Sequence, residues 1–232
     1  MIGHRGAAGL APENTLVGLE KAAELGARWV EFDVKLTRDG VPVLFHDDTL
    51  RRTTGRRGRV IDTDFDDLRT LDAGGGARVP TLDEALACLE RLGLGANVEI
   101  KPCPGREVET AWIIAERLAT NWPDSLPAPL VSSFAFASLE TARARSPDVT
   151  LGFLAGRLPR DWIRAVEALG CASVHLDQKR LGPRAVAAVK GAGLKLLAYT
   201  VNDLGRARDL LDSGVDAVFT DLPDRLLAAV GD

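Results

Sequence analysis

The feature that most constrains the fold is a repeated junction, in which a helical stretch closes on glycine and an apolar run of strand length follows. Gly26 precedes Trp29-Val-Glu-Phe-Asp-Val34, and Gly93 and Gly95 precede Asn97-Val-Glu-Ile100. Gly170 precedes Ser173-Val-His-Leu176, Gly193 precedes the run from Lys195 to Val201, and Gly214 precedes Asp216-Ala-Val-Phe-Thr220. Glycine suits the left-handed residue that ends a helix, and short apolar runs suit strands covered by helices. Helix-to-strand units repeated in series imply a parallel sheet with right-handed crossovers.

The count of strands selects the architecture. Strands are expected near 2–5, 28–35, 96–101, 130–134, 149–154, 172–177, 195–201 and 215–220. Helices are expected near 15–25, 82–92, 106–119, 136–145, 160–169, 183–192, 203–212 and 222–229. Eight such units favour a closed (β/α)8 barrel, the TIM-barrel form of the α/β class, over an open doubly wound sheet. No Gly-x-Gly-x-x-Gly turn follows the first strand, which argues against a dinucleotide site. The length of 232 residues and the 46 % hydrophobic content suit one barrel domain spanning 1–232.

One segment departs from the rhythm. Residues 41–46 (Val-Pro-Val-Leu-Phe-His) read as an extra strand directly after the turn at Asp39-Gly40. A polar stretch then runs over about 47–80 with seven Arg and seven Asp, so it is charge-balanced. Its apolar residues Val60, Ile61, Phe65, Leu68 and Leu71 predict a small folded insertion after the second barrel strand. The next helix opens on a capping box, Thr81-Leu-Asp-Glu84.

Composition excludes several function classes. A net charge of −4 does not suit nucleic-acid binding. Cys88, Cys103 and Cys171 are odd in number and widely spaced, which fits neither a disulfide framework nor a zinc pattern and suits a reducing compartment. The start, Met-Ile-Gly-His-Arg-Gly, lacks the basic-then-apolar form of a signal segment. No apolar run approaches the roughly 18 residues that span a bilayer. A cytoplasmic protein without stable membrane insertion is expected; its oligomeric state is not readable.

Strand parity concentrates the chemistry at one end of the barrel. Glu31 and Asp33 share one face of their strand, while Val30, Phe32 and Val34 take the other. Glu99 and Lys101 repeat the arrangement against Val98 and Ile100. Three carboxylates entering one barrel mouth repel unless a cation sits among them. Lys101 alone could neutralise one of them; three acids against one lysine favour a metal. An all-oxygen donor set suits Mg2+ first, with Ca2+ or Mn2+ as alternatives, and does not suit zinc.

All three histidines fall at expected strand ends: His4, His46 and His175. Two histidines beside a carboxylate cluster read as an acid–base pair, and His4 and His46 are that pair. His175 ranks behind them for substrate contact. Arg5 follows His4 past the strand end, where it can turn into the mouth and offer a fork to phosphate oxygens. A divalent metal, Arg5, Lys101 and two imidazoles together describe a site for cleaving an anionic phosphate ester. Ser132 and Ser133 end the fourth strand with no base evident beside them, and Cys103 is taken as incidental.

These residues resemble the glycerophosphodiester phosphodiesterase family. His4-Arg5-Gly6, Glu13-Asn14-Thr15, Glu31-Phe-Asp33, Thr37-Arg-Asp-Gly40, His46-Asp47 and Glu99-Ile-Lys101 follow one another in that family's order. Leu50-Arg-Arg-Thr-Thr-Gly55, Leu71-Asp-Ala-Gly74 and Val79-Pro-Thr-Leu-Asp-Glu84 look like its insertion, and Tyr199-Thr-Val-Asn202 and Thr220-Asp221 like its last two strands. The resemblance implies a phosphatidylinositol-phospholipase-C-like barrel with a divalent metal on Glu31, Asp33 and Glu99. It implies His4 and His46 as general acid and base, in an order left open, with Arg5 and Lys101 near the phosphate and Tyr199 on the substrate wall. The implied reaction cleaves a small-molecule glycerophosphodiester, such as glycerophosphocholine, to sn-glycerol 3-phosphate and an alcohol, with a cyclic phosphate intermediate left open.

Three departures bear on this. Tyr199 stands where the family usually has Trp, which keeps an aromatic wall and adds a hydroxyl. Gly74-Gly-Gly-Ala-Arg78 is shorter than the usual connection, which leaves the leaving alcohol open. The first strand starts almost at Met1, so either the true start lies upstream or the barrel's base is less covered. Two rival functions stay in play. One is a lysophospholipase-D-like phosphodiesterase, which should present an apolar entrance. The other is an inactive barrel that only binds a phosphate compound.

Overall fold

The structure is a computed structural model that describes residues 1–230. Eight parallel strands close on themselves: β1 (Ile2–Gly3), β2 (Trp29–Leu36), β4 (Gly95–Ile100), β5 (Leu130–Ser133), β6 (Thr150–Ala155), β7 (Ser173–Asp177), β8 (Lys195–Tyr199) and β9 (Ala217–Thr220). Closure comes from β1, which pairs with β2 at Gly3↔Val30 and with β9 at Ile2↔Phe219. A ninth strand, β3 (Pro42–Leu44), lies antiparallel on β2 in the register Val34↔Leu44. The outer helices are α1 (Leu16–Glu24), α4 (Leu82–Leu92), α5 (Glu107–Asn121), α6 (Phe136–Arg145), α7 (Trp162–Leu169), α8 (Pro183–Gly191), α9 (Leu204–Asp212) and α10 (Pro223–Val230). This is the (β/α)8 barrel expected from the repeated junctions.

Alternation along the strands sorts the side chains. Val30, Phe32, Val34, Val98 and Ile100 pack outward against Leu19, Leu86 and Leu89 of the helices, all buried in one continuous core. Inside the barrel, a smaller cluster of Ile2, Leu197 and Phe219, with Trp29 and Leu130 against it, fills the interior. Met1 packs half-buried against the main core. The capping box forms as expected: Thr81 Oγ1 accepts from Glu84 N at 3.1 Å, and Thr81 N donates to Glu84 Oε2 at 2.7 Å.

Residues 47–80 contain two single-turn helices, α2 (Arg51–Thr54) and α3 (Phe65–Leu68), with a 3-10 turn over Val60–Asp62. They share a core with Val43 and Phe45: Leu50, Val60, Leu68, Ala73 and Val79 are buried, and Ile61, Phe65 and Leu71 pack against them. Cys103 is buried in that same cluster, apart from the carboxylates. The apolar residues singled out from sequence are therefore those that fold this segment.

Three strand assignments shift. The first strand ends at Gly3 and not at residue 5, because the chain turns at Arg5 and Gly6, with φ of 50° and 84°. A Cβ on Gly6 would sit 2.5 Å from the Gly18 carbonyl carbon, so this turn packs directly on α1 and only glycine fits. The extra strand stops at Leu44, leaving His46 in the loop beyond it. His175 is in the middle of β7 and not at its end. It is fully buried, with its ring 5.4 Å from that of Phe219 and Nε2 2.9 Å from Ser173 Oγ. A Cβ on the facing Gly152 would lie 2.6 Å from that Nε2, so a glycine there makes room for the ring.

Burial pushes the His175 pKa down from its ordinary 6.5 to about 3. The unfolded chain then binds a proton in that window that the folded chain refuses, so stability rises with pH across it. His175 should cost no stability above pH 6.5 and an increasing amount as pH falls towards about 3. Denaturant unfolding from pH 7 to 4 should show this loss in the native chain and a shallower loss in His175→Gln. Separately, Thr81→Ala should cost about 1 kcal/mol in the same assay.

Candidate active site

β2 and β4 pair in the register Glu31↔Asn97 and Asp33↔Glu99, which carries three acids to the C-terminal mouth of the barrel. Glu31, Asp33 and Glu99 are all buried, and one oxygen from each lies within 4.8 Å of the others. Basic and amide groups are aimed at them. Lys101 Nζ is 3.1 Å from Asp33 Oδ1 and 2.9 Å from Glu99 Oε1. Arg5 donates its backbone N–H to Glu31 Oε2 at 2.9 Å and brings Nε to 3.2 Å from Asp33 Oδ2. Asn14, at φ 54°, donates Nδ2 to Asp33 Oδ2 at 2.9 Å and accepts the Asp33 N–H at 3.1 Å.

These partners do not balance the cluster. Glu31 Oε1 is buried with no hydrogen-bond partner. Burial, reinforced by the Asp33 charge, pushes Glu99 up to about 8 and also raises Glu31. Burial works the same way on Asp33, but Lys101 and Arg5 outweigh it and hold that carboxyl well below the usual range. An orphaned carboxylate oxygen among buried acids with raised pKa values is what a missing positive charge produces. Glu31, Asp33 and Glu99 therefore fit a hard divalent cation, with oxygen donors only.

The two histidines are held alike and sit in different fields. His4 Nδ1 donates to Asp221 Oδ1 at 2.6 Å, leaving Nε2 3.9 Å from Glu31 Oε2. Asp221 is fixed in turn by Asn202, whose Nδ2 donates to its Oδ2 at 2.6 Å and whose Oδ1 accepts its N–H at 2.9 Å. Burial would lower the His4 pKa, but the Asp221 hydrogen bond and the Glu31 charge outweigh it and the net shift is upward. His46 Nδ1 donates to Asp47 Oδ1 at 2.6 Å. Burial lowers its pKa; the Asp33 charge and the Asp47 hydrogen bond oppose this, but nearby Lys101 and Arg5 add to burial and the net shift is downward.

The cleft between these groups is lined by His4, Glu31, Glu99, Phe134, Tyr199 and His175. An adjoining groove carries His46, Lys35 and Lys101. Tyr199 forms an aromatic wall with Phe134, edge to face at 6.0 Å. Its added hydroxyl is spent on the Ala155 carbonyl at 2.9 Å, so it offers the cleft a ring rather than a free donor. His175 lies beneath this cleft as buried, neutral packing.

His4, Arg5, Glu31, Asp33, Glu99, Lys101 and Tyr199 thus converge, and His46 joins them across the adjoining groove. The sequence reading gave no role to Asn14, Asp221, Asn202, Asp47 or Arg52. Asn14 carried one signal, since asparagine is enriched among residues with positive φ. The others touch the site through contacts distant in sequence or through loop geometry. Removing the Asp221 carboxylate removes the group that most raises His4. In metal-free protein, Asp221→Asn should therefore lower the His4 pKa, read by NMR titration of the ring protons of the three histidines.

Among the described residues, no helix is long and apolar enough to cross a membrane. Comparison with known proteins follows the whole chain. A glycerophosphodiester phosphodiesterase of Caldanaerobacter subterraneus is 33 % identical over 99 % of this chain and 97 % of its own length. One from Bacillus subtilis is 31 % identical over 96 % of this chain and 83 % of its own. Among solved structures, an Oleispira antarctica phosphodiesterase in complex with its product sn-glycerol-3-phosphate superposes with a TM-score of 0.95 at 42 % identity, over 99 % of this chain and 95 % of that one. A glycerophosphodiester phosphodiesterase of Agrobacterium tumefaciens matches with a TM-score of 0.78 at 28 % identity, over 98 % of both chains. The sequence model described as the Glycerophosphoryl diester phosphodiesterase family matches residues 4–225, and the chain belongs to that family.

Proposed function

We propose that the chain hydrolyses glycerophosphodiesters to sn-glycerol 3-phosphate and an alcohol, as a single catalytic domain over 1–232. The observation that carries this is the mouth of the barrel, where three buried carboxylates with an unpaired Glu31 oxygen meet Arg5, Lys101 and two carboxylate-anchored histidines. Glu31, Asp33 and Glu99 would hold the divalent metal, Mg2+ first with Ca2+ or Mn2+ as alternatives. When bound, that cation supplies Lewis-acid polarisation of the phosphoryl oxygens. Arg5 and Lys101 take the remaining phosphate charge. His4 and His46 form the acid–base pair: one accepts the proton of the attacking oxygen and the other protonates the departing alkoxide. Each is anchored through Nδ1, so Nε2 is the atom that moves the proton. Tyr199 and Phe134 wall the substrate. Three free cysteines fit a reducing, cytoplasmic setting.

A second reading rests on Phe134, just past β5, and Phe136, the first residue of α6, both exposed, with Phe134 lining the cleft itself. That apolar surface would suit a lysophospholipid, which the polar insertion alone would not.

Coupled detection of glycerol 3-phosphate across a panel of glycerophosphodiesters tests the main reading. Activity should vanish in EDTA and return with Mg2+, Mn2+ or Ca2+, and full turnover in chelator would sink it. His4→Ala and His46→Ala should each lower kcat by about 100-fold or more while keeping the native melting temperature. Faster turnover of lysophosphatidylcholine than of glycerophosphocholine would favour the second reading.

A further inference from the structure

The insertion contributes one side chain that links two parts of the site. Arg52, on α2, grips two carboxylates through two edges of one guanidinium. Its Nε donates to Asp47 Oδ2 at 2.7 Å and its Nη2 to Asp47 Oδ1 at 3.0 Å. On the other edge, Nη1 donates to Glu13 Oε2 at 2.6 Å and Nη2 to Glu13 Oε1 at 2.7 Å. Those carboxylates each hold a group of the active site. Asp47 Oδ1 accepts from His46 Nδ1 at 2.6 Å, and Glu13 Oε1 accepts from Arg5 Nη1 at 3.0 Å. The result is an unbroken chain, His46–Asp47–Arg52–Glu13–Arg5, drawn from the loop after β1, the loop after β3 and the insertion.

The geometry points to Arg52 as a positioning residue that fixes the aim of His46 and couples it to Arg5. This inference rests on the roles proposed above for those two residues. An isolated surface ion pair is worth little. Arg52 differs because both of its edges are bidentate, a geometry that lysine cannot reproduce. Its backbone is also anchored: Leu50, just before α2, is fully buried, and its N–H donates to the Gly58 carbonyl at 3.0 Å. Asp47 lies in a loop, and besides the His46 ring it is Arg52 that holds its carboxylate, through both oxygens. Arg52 itself is half exposed, with its side chain 48 % accessible, so its removal leaves no cavity in the core.

The test compares Arg52→Ala, Arg52→Lys and His46→Ala in the metal-loaded enzyme with glycerophosphocholine. Arg52→Ala should lower kcat about 10- to 100-fold, with a smaller change in KM and a native melting temperature. Arg52→Lys should recover only part of that loss. In metal-free protein, the His46 Nδ1–H resonance should be visible in the native chain and lost to solvent exchange in Arg52→Ala. Adding Asp47→Asn to Arg52→Ala should cost little more, because both act through one chain. Native kcat with an unchanged His46 resonance in Arg52→Ala overturns the inference, as does full additivity with Asp47→Asn. If His46→Ala is inactive while Arg52→Ala is fully active, only the positioning role fails; turnover retained in His46→Ala overturns the proposed function beneath it.

Discussion

Three carboxylates buried at one end of a barrel are the constraint on which the rest of the site depends. Like charges in a poorly hydrated space repel, and removing each from water is costly unless it is paired. The fold meets that cost with Arg5 and Asn14 from the loop between β1 and α1 and with Lys101 just past the end of β4. Two of those residues, Arg5 and Asn14, take left-handed backbone conformations, which asparagine tolerates and arginine seldom adopts. Such strain persists only where surrounding contacts dictate it. Here those contacts are the carboxylates themselves and the packing of the Gly6 turn on α1. The outward face of the same strands is wholly apolar, so the core that stabilises the barrel also holds the acids in register.

The histidines show how one motif yields two environments. Both rings are oriented by a carboxylate on Nδ1, at the same distance. At His4 the Asp221 hydrogen bond and the Glu31 charge outweigh burial and the shift is upward, while at His46 burial, helped by Lys101 and Arg5, outweighs Asp33 and Asp47 and the shift is downward. What separates the pair is whether the anchor and the neighbouring charges outweigh burial: they do at His4 and do not at His46.

The insertion turns out to be more than a surface decoration. Its apolar residues build a satellite core with β3 and Phe45, and this core seats α2 firmly enough for Arg52 to bridge Glu13 and Asp47. The Gly74–Gly76 stretch is tied down as well, with Asp72 Oδ1 accepting the N–H groups of Gly74 at 2.7 Å and Gly76 at 3.0 Å. Of the segment's arginines, Arg52 pairs with Glu13 and Asp47 at the mouth, while Arg59 pairs with Asp62 within the segment.

Local rules made much of this protein legible in its sequence. Glycine-closed helices followed by apolar runs identified the barrel, because helix ending and strand burial depend on near neighbours. A two-residue period placed Glu31, Asp33 and Glu99 on one inner face, since alternation is a property of any strand. His175 marks the limit of such reasoning. Its residue type and its place on a strand suggested chemistry, yet its depth in the barrel, facing Gly152 and Ser173, makes it neutral packing. Likewise, the anchoring of His4 by Asp221, 217 residues away, and the bridge from Arg52 to Glu13 exist only after the barrel closes. The sequence by itself determined that Glu31, Asp33 and Glu99 share the inner face of their strands, because that follows from local periodicity. Only the tertiary structure decided which charges face one another there, because those distances are set by closure of the sheet and by the seating of the insertion.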